Sequence, residues 1–95
     1  MRDPRPFKHF RKRLWQRYRV RIAPEAFMAL CRAIGRGQHP SRLIDGHPDS
    51  ARVLIQFTYA RRPVLAVWDQ DAGLLITALP LHCRSRARLA GSDFY

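Results

Sequence analysis

The first third of the chain repeats apolar residues at three- and four-residue steps, the period of an amphipathic helix. Two segments carry such a stripe, at Phe7, Phe10, Leu14 and Tyr18 in the first and at Phe27, Leu30, Cys31 and Ile34 in the second. Pro24 suits the first turn of the second helix, and Gly35 favours its end. Pro4 and Pro6 favour an extended entry. We therefore predict an extended arm over residues 1–6, followed by two helices.

From residue 42 onward the apolar period becomes two, which is typical of strands. In residues 52–59 the odd-numbered positions are apolar and point one way, and Leu54, Gln56 and Thr58 point the other way. The polar residues Gln56 and Thr58 are expected on a surface that is solvated or carries the substrate. Similar but shorter segments cover 42–44, 64–68 and 74–79, and residues 60–63 are predicted to turn the chain. Short connections make neighbouring strands antiparallel. The predicted fold is α+β, with two N-terminal helices packed on one face of a three- to four-stranded antiparallel sheet in a single domain, residues 7–80.

The remaining composition narrows the class of protein. Residues 81–95 are polar and basic, and we expect a loosely ordered tail there. Cys31 and Cys83 lack CxxC spacing, and the aspartates occupy turns in which this side chain binds the local backbone, so we expect no metal and no cofactor. No apolar run reaches the roughly 18 residues that a membrane span needs. We expect a cytoplasmic protein, although an Arg-rich, acid-poor start also describes a mitochondrial transit peptide.

Positive charge is concentrated at the N-terminus. The formal net charge is +11, of which residues 1–21 carry +8 and residues 22–80 only +1. Most of the cations are arginines, whose planar fork binds phosphate through two parallel hydrogen bonds. A polyanion is therefore the expected partner, with RNA first. The residues assigned to nucleic-acid binding are Lys8, Arg11, Lys12, Arg13, Arg17, Arg52, Arg61 and Arg62.

Two short strings suggest a family. AVWD at 66–69 and LITALP at 75–80, together with the order of helices before sheet, resemble the RelE/barnase/colicin-like superfamily of small toxins over roughly residues 9–80. The resemblance implies N-terminal helices on an antiparallel sheet and an exposed sheet face that holds RNA. It also implies metal-independent endoribonuclease activity and an acidic antitoxin as partner.

Metal-independent cleavage of RNA uses the 2′-hydroxyl of the substrate as nucleophile, so the protein has to supply a base, an acid and cations. His9 is the candidate base because imidazole titrates near neutral pH. Arg13 and Arg17 follow one and two turns later on the same helix face. Thr77, on the last strand and predicted to share a face with Leu75 and Leu79, completes the candidate catalytic set.

The residues leave other classes open. A non-catalytic module that binds nucleic acid or a nucleoprotein through its basic helix is the main alternative to a nuclease. Residues 42–80 hold four arginines and four aspartates, which favours this alternative, because a nuclease site on the sheet calls for positive charge there. Trp15, beside the apolar stripe, is suited to stack on unpaired bases in either class. A membrane-surface helix and a protein-binding adaptor are further alternatives.

Overall fold

Two helices precede a four-stranded antiparallel sheet, which confirms the predicted α+β class. The structure, a computed structural model, describes residues 5–47 and 49–81. Its elements are helices α1 (Arg5–Tyr18) and α2 (Pro24–Gly35) and strands β1 (Ser41–Asp45), β2 (Arg52–Tyr59), β3 (Arg62–Asp69) and β4 (Leu74–Leu79). The strands lie side by side in chain order. Neither described helix is long and apolar enough to cross a membrane.

Helix α1 begins earlier than its prolines predict. The extended arm predicted for residues 1–6 is wrong at positions 5 and 6, because the helix starts at Arg5 and includes Pro6. Proline is tolerated in a first turn, where its missing N–H would have had no partner inside the helix. Residues 1–4 of the predicted arm and residues 82–95 of the predicted tail lie outside the described residues.

The main core lies between the helices and one face of the sheet, which we call the first face. Phe10, Leu14 and Phe27 are 0% exposed there, and the rings of Phe7 and Phe27 meet edge to face at 5.3 Å. The sheet side of this core consists of Val53, Ile55, Phe57, Val64, Ala66, Trp68, Leu75 and Ala78. Both predicted helical stripes are therefore confirmed as core.

The opposite face of the sheet, the second face, is also buried. Its apolar cluster consists of Leu54, Leu65, Val67, Ile76 and Leu79, with Ile44 packed against it. The sequence predicted helices on one face only and, from Gln56 and Thr58, an open face on the other side. The helices do lie on one face, but the prediction of an open second face is wrong for the centre of the sheet, because the polar positions lie toward one end of β2 and the centre is apolar.

A β-bulge in β4 changes which side chains share a face. Val67 pairs with Thr77, whereas the next residue, Trp68, pairs with Leu75, so Ile76 is the extra residue. An extra residue interrupts the strict alternation of a strand. Thr77 therefore lies opposite Val67 on the second face, which it shares with Leu79, while Leu75 lies on the first face. The shared face predicted for Thr77 is confirmed for Leu79 and wrong for Leu75.

The connection between β2 and β3 is shorter than predicted. Residues 60–63 were expected to form the turn, but only Ala60 and Arg61 do, with φ angles of 51° and 63°. Such left-handed angles are those of the tight turns that match the twist of a hairpin. Pro63 is tolerated inside β3 because β4 pairs with this strand only from Leu65 onward.

The C-terminal end of α1 is hydrogen-bonded to the edge of the sheet. The Tyr18 hydroxyl donates to the carbonyl of Leu79 at 2.5 Å and accepts from the N–H of Leu65 at 3.0 Å. These two residues are register partners in β3 and β4, so the hydroxyl bridges the strands where their pairing ends. Next to it, Nε of Arg17 donates to the carbonyl of Ala78 at 2.9 Å. The bonds to Leu79 and to Ala78 fix the end of α1 against β4.

Candidate nucleic-acid interface

Helix α1 presents two different flanks beside its buried stripe. Successive helix residues advance by about 100°, so Trp15 and Arg17 point in directions roughly 200° apart. One flank, the groove flank, carries Lys8, Arg11, Lys12 and Trp15. The other, the His9 flank, carries His9, Arg13 and Arg17. The predicted binding residues of α1 are thus divided between two surfaces.

The groove flank forms one wall of an open groove, and the segment between α1 and α2 forms the other. The groove has a volume of about 870 Å³. We call it the basic groove; its lining residues are Lys8, Arg11, Lys12, Trp15, Arg21, Ile22 and Ala23. Among the described lining residues, the four ionisable side chains are all cations, so their fields add and attract anions.

Trp15 is the aromatic centre of the basic groove. Helix α1 ends because Arg19 takes a left-handed conformation, with φ of 56°, and donates its N–H to the carbonyl of Trp15. The chain then reverses, which brings two guanidinium groups over the indole, Arg19 at 5.4 Å and Arg21 at 4.5 Å from the ring centroid. Such contacts stabilise an exposed pair by about 0.5–1 kcal/mol. The indole is 38% exposed, so the groove offers positive charge and an aromatic face together.

The His9 flank is more closely tied to the fold. His9 is half-buried, and its Nε2 atom is buried. Arg13 donates to the side-chain oxygen of Gln16 at 2.8 Å, and Arg17 uses Nε for the carbonyl of Ala78. Each arginine therefore commits at least one of its five donors to the protein itself.

Thr77 does not join the other predicted catalytic residues. Its side chain is 2% exposed and lies on the second face, opposite Val67. Helix α1, which carries the His9 flank, packs through its apolar stripe on the first face. The side chain of Thr77 therefore lies on the face of the sheet opposite the apolar stripe of α1, although Arg17 reaches the backbone of the neighbouring residue Ala78.

The predicted binding arginines of the sheet lie at its two opposite ends. Arg52, at the start of β2, is half-buried and 3.8 Å from the carboxylate of Asp69. Arg61 and Arg62 are exposed at the other end of the β2–β3 hairpin. The seven residue steps of β2 separate the two ends by about 23 Å, at roughly 3.3 Å per residue. The structure does not gather these arginines into one site with the basic groove.

Two interface residues were not assigned from the sequence. Arg19 and Arg21 come after the end of helix α1, and they approach Trp15 only because the chain reverses at Arg19. The four-residue spacing of Trp15 and Arg19 was the one local signal, because residues four apart in a helix are neighbours. A positive φ at an arginine has no such signal in the sequence.

The remaining reactive side chains have structural surroundings. Burial raises the pKa of the Cys31 thiol to about 11, although the N–H of Leu75 at 3.5 Å from its sulfur favours the thiolate. The prediction that Cys31 is a core residue is confirmed. Asp69 accepts hydrogen bonds from the backbone of its own turn, at Asp71 and Ala72, as predicted for turn aspartates. Within residues 5–47 and 49–81, no three potential metal ligands lie together.

No family model, curated protein or solved structure matches this chain. The resemblance to the RelE/barnase/colicin-like superfamily therefore stays a prediction, and so does the acidic antitoxin that it implies.

Proposed function

We propose that this protein binds RNA through the basic groove and recognises unpaired bases there. The observation that carries the proposal is the position of Trp15, partly exposed among four cations, with no acidic side chain among the described residues that line the groove. Proteins that bind single strands combine a positively charged groove that follows the phosphates with aromatic rings on which bases stack. Unpaired bases are common in RNA loops, bulges and ends, which favours RNA over duplex DNA.

The cations and the tryptophan of the groove have different roles in the proposed binding. Lys8 and Lys12 are point charges one turn apart on α1, and Arg11 lies between them in sequence. These cations bind phosphates without regard to sequence, whereas Trp15 contacts a base. A base would stack on the part of the indole that the two arginines leave exposed. Arg21, whose guanidinium is 4.5 Å from the ring centroid, is close enough to bind the phosphate of that base.

The proposal is tested by fluorescence anisotropy with a labelled single-stranded RNA at several salt concentrations. Neutralising four phosphates gives a slope of about −3 in a plot of log affinity against log salt, and Lys12→Ala reduces it by about 0.7. Trp15→Ala is expected to weaken binding by about 5- to 150-fold, because stacking contributes roughly 1–3 kcal/mol per base. Arg32→Ala, an exposed arginine of α2 outside the groove, is the matched control.

Equal effects of Trp15→Ala and Arg32→Ala would contradict this proposal, since general electrostatic attraction would then account for the binding. A duplex of the same length is the second comparison. It should bind more weakly than the single strand, because its bases are already stacked on each other. Equal affinity for the duplex and the single strand would contradict the proposal that an unpaired base stacks on Trp15.

Endoribonuclease activity is the second candidate, and the His9 flank is the observation that favours it. An imidazole followed by two guanidinium groups at four-residue spacing supplies a base beside phosphate-binding cations. The 2′-oxygen would attack phosphorus and the 5′-oxygen would leave, which yields a cyclic phosphate and a 5′-hydroxyl. The buried Nε2 of His9 and the position of Thr77 on the second face count against this candidate.

Cleavage is tested separately from binding. Purified protein is incubated in EDTA with a structured RNA, alongside the His9→Ala variant and a 2′-deoxy substrate. Cleavage by the wild type alone, absent on the deoxy strand, would establish a metal-independent ribonuclease that depends on His9. Intact RNA together with salt-sensitive binding would support the binding module and end the nuclease candidacy.

A further inference from the structure

Strand β1 forms one edge of the sheet, and within residues 5–47 and 49–81 no strand pairs with its outer side. An edge strand presents a row of backbone N–H and C=O groups that can pair with a further strand. A β-bulge lies between Leu43 and Asp45, so Ser41, Arg42 and Leu43 keep a regular register with β2. This regular segment is the part of β1 that can pair with another chain.

An exposed leucine lies on this edge. Leu43 pairs with Ile55 and therefore belongs to the first face, yet its side chain is 49% exposed, so the two helices do not cover it. Beside it is a cleft of about 240 Å³, lined by Leu43 itself, by Ile34 of α2 and by Trp68 of β3. A strand added to β1 would shield the leucine and the cleft from water.

We propose that the added strand is β1 of a second copy of this chain. The two strands run antiparallel around a two-fold axis, and the two sheets become one continuous sheet. When the axis passes beside Leu43, the leucines of the two copies lie opposite each other on the first face. Each then covers the exposed part of the other, which is the self-complementary contact that a two-fold interface requires.

The charges of β1 favour a second copy as the occupant. Arg42 is exposed near the start of the strand, and Asp45 is half-buried at its end. Their register partners are Gln56 and Leu54, so both side chains lie on the second face. Antiparallel pairing brings Arg42 of one copy beside the end of β1 that carries Asp45 in the other copy, and the two-fold symmetry repeats this contact. Opposite charges across a strand pair are stabilising.

The position of the remaining positive charge permits this dimer. Residues 22–80 carry only +1, and the basic helix α1 is hydrogen-bonded to β4 at the other edge of the sheet. In the continuous sheet, seven strand spacings of about 4.8 Å, or about 33 Å, separate the two copies of β4. This distance is several times the Debye length of about 8 Å at physiological ionic strength. The two basic helices therefore repel each other only weakly.

Analytical ultracentrifugation of the full-length protein over a range of concentrations tests the proposal, with a reversible dimer as the expected result. Leu43→Asp removes the apolar contact and places two carboxylates opposite each other, so it should raise the dissociation constant at least about 10-fold. Leu81→Asp is the matched control, because this leucine is 38% exposed and follows β4 at the other edge of the sheet. It should change the dissociation constant less than about twofold. A protein that stays monomeric, or equal effects of the two variants, would overturn the proposal.

Nuclear Overhauser effects test the register without any variant. In a mixture of labelled and unlabelled protein, isotope-filtered spectra report only contacts between two copies. The methyl groups of Leu43 in one copy are expected to show cross-peaks to protons of Leu43 in the other. Cross-peaks that join other surfaces of the two copies would overturn the proposed interface. These tests contain no RNA, so their outcome is independent of the proposed binding function.

Discussion

The Tyr18 hydroxyl is expected to be a large single contributor to stability, and Tyr18→Phe is the variant that measures it. The hydroxyl donates to Leu79 and accepts from Leu65, and both of these residues are buried. Phenylalanine keeps the ring in the core and removes only the oxygen. The change therefore leaves a backbone N–H and a backbone carbonyl without their partner at the end of the β3–β4 pairing.

The magnitude follows from these two groups. A buried polar group that loses its hydrogen bond costs about 1–3 kcal/mol. Because the two strands relax partly toward each other, we expect a loss of about 2–4 kcal/mol in the free energy of unfolding rather than the full sum. A domain of this size is stabilised by only about 5–14 kcal/mol in total. The melting temperature should fall by at least about 8 °C.

Urea denaturation followed by far-UV circular dichroism measures the effect. Tyr59→Phe, at a half-buried tyrosine near the end of β2, serves as the control for loss of a phenolic oxygen. The dependence of unfolding free energy on urea should be the same in all three proteins, because the surface exposed on unfolding does not change. A loss below about 0.5 kcal/mol for Tyr18→Phe would refute the bridging role of the hydroxyl.

Three further changes test other local features. Arg61 has a φ of 63°, a left-handed angle that glycine adopts more easily than other residues. Arg61→Gly should therefore raise the free energy of unfolding by up to about 1 kcal/mol in thermal melts. A lower melting temperature would contradict the turn geometry. In a Cys83→Ser background, Cys31 should react with a thiol reagent only as fast as the protein unfolds at pH 8. Since the pKa of Cys31 is raised to about 11, the protonated thiol contributes its full stabilisation below pH 9, and this contribution is lost as the pH rises from 9 to 11. A free energy of unfolding that stays constant between pH 9 and 11 would refute this dependence. Gly46→Ala places a Cβ 3.1 Å from the backbone of Val53, at a residue with a φ of 107°. It should therefore lower the melting temperature of the protein by more than Gly73→Ala, whose Cβ would meet nothing within 4 Å. Equal melting temperatures of the two variants would contradict the close approach of Gly46 to Val53.

The elements could be predicted because their signals are local. The stripe of α1 and the alternation of β2 are properties of neighbouring residues, and the bounds of β2 and β4 match the predicted segments. Pro63 was assigned to the turn because proline usually interrupts pairing. Its place in β3 depends on where β4 ends, which is a property of the whole sheet.

The site was harder to predict because it depends on which way side chains point. The charge of residues 1–21 indicated a polyanion partner, but the charge total did not divide α1 into two flanks. A single extra residue in β4 puts Thr77 and Leu75 on opposite faces of the sheet, and no residue type in the sequence indicates that bulge.

The attachment of α1 to β4 also determines how the domain is assembled. The hydrogen bonds of Arg17 to Ala78 and of Tyr18 to Leu79 each join residues 61 positions apart. Contacts of such long separation form late, because the entropy lost in closing the loop is offset only when the core is complete. Helix α1 is synthesised before every strand, and although Phe7 and Phe10 can meet Phe27 of α2 early, its hydrogen bonds to the last strand form only when β4 is available. The meeting of the first helix with the last strand is therefore expected to be the slow, cooperative step that closes the fold.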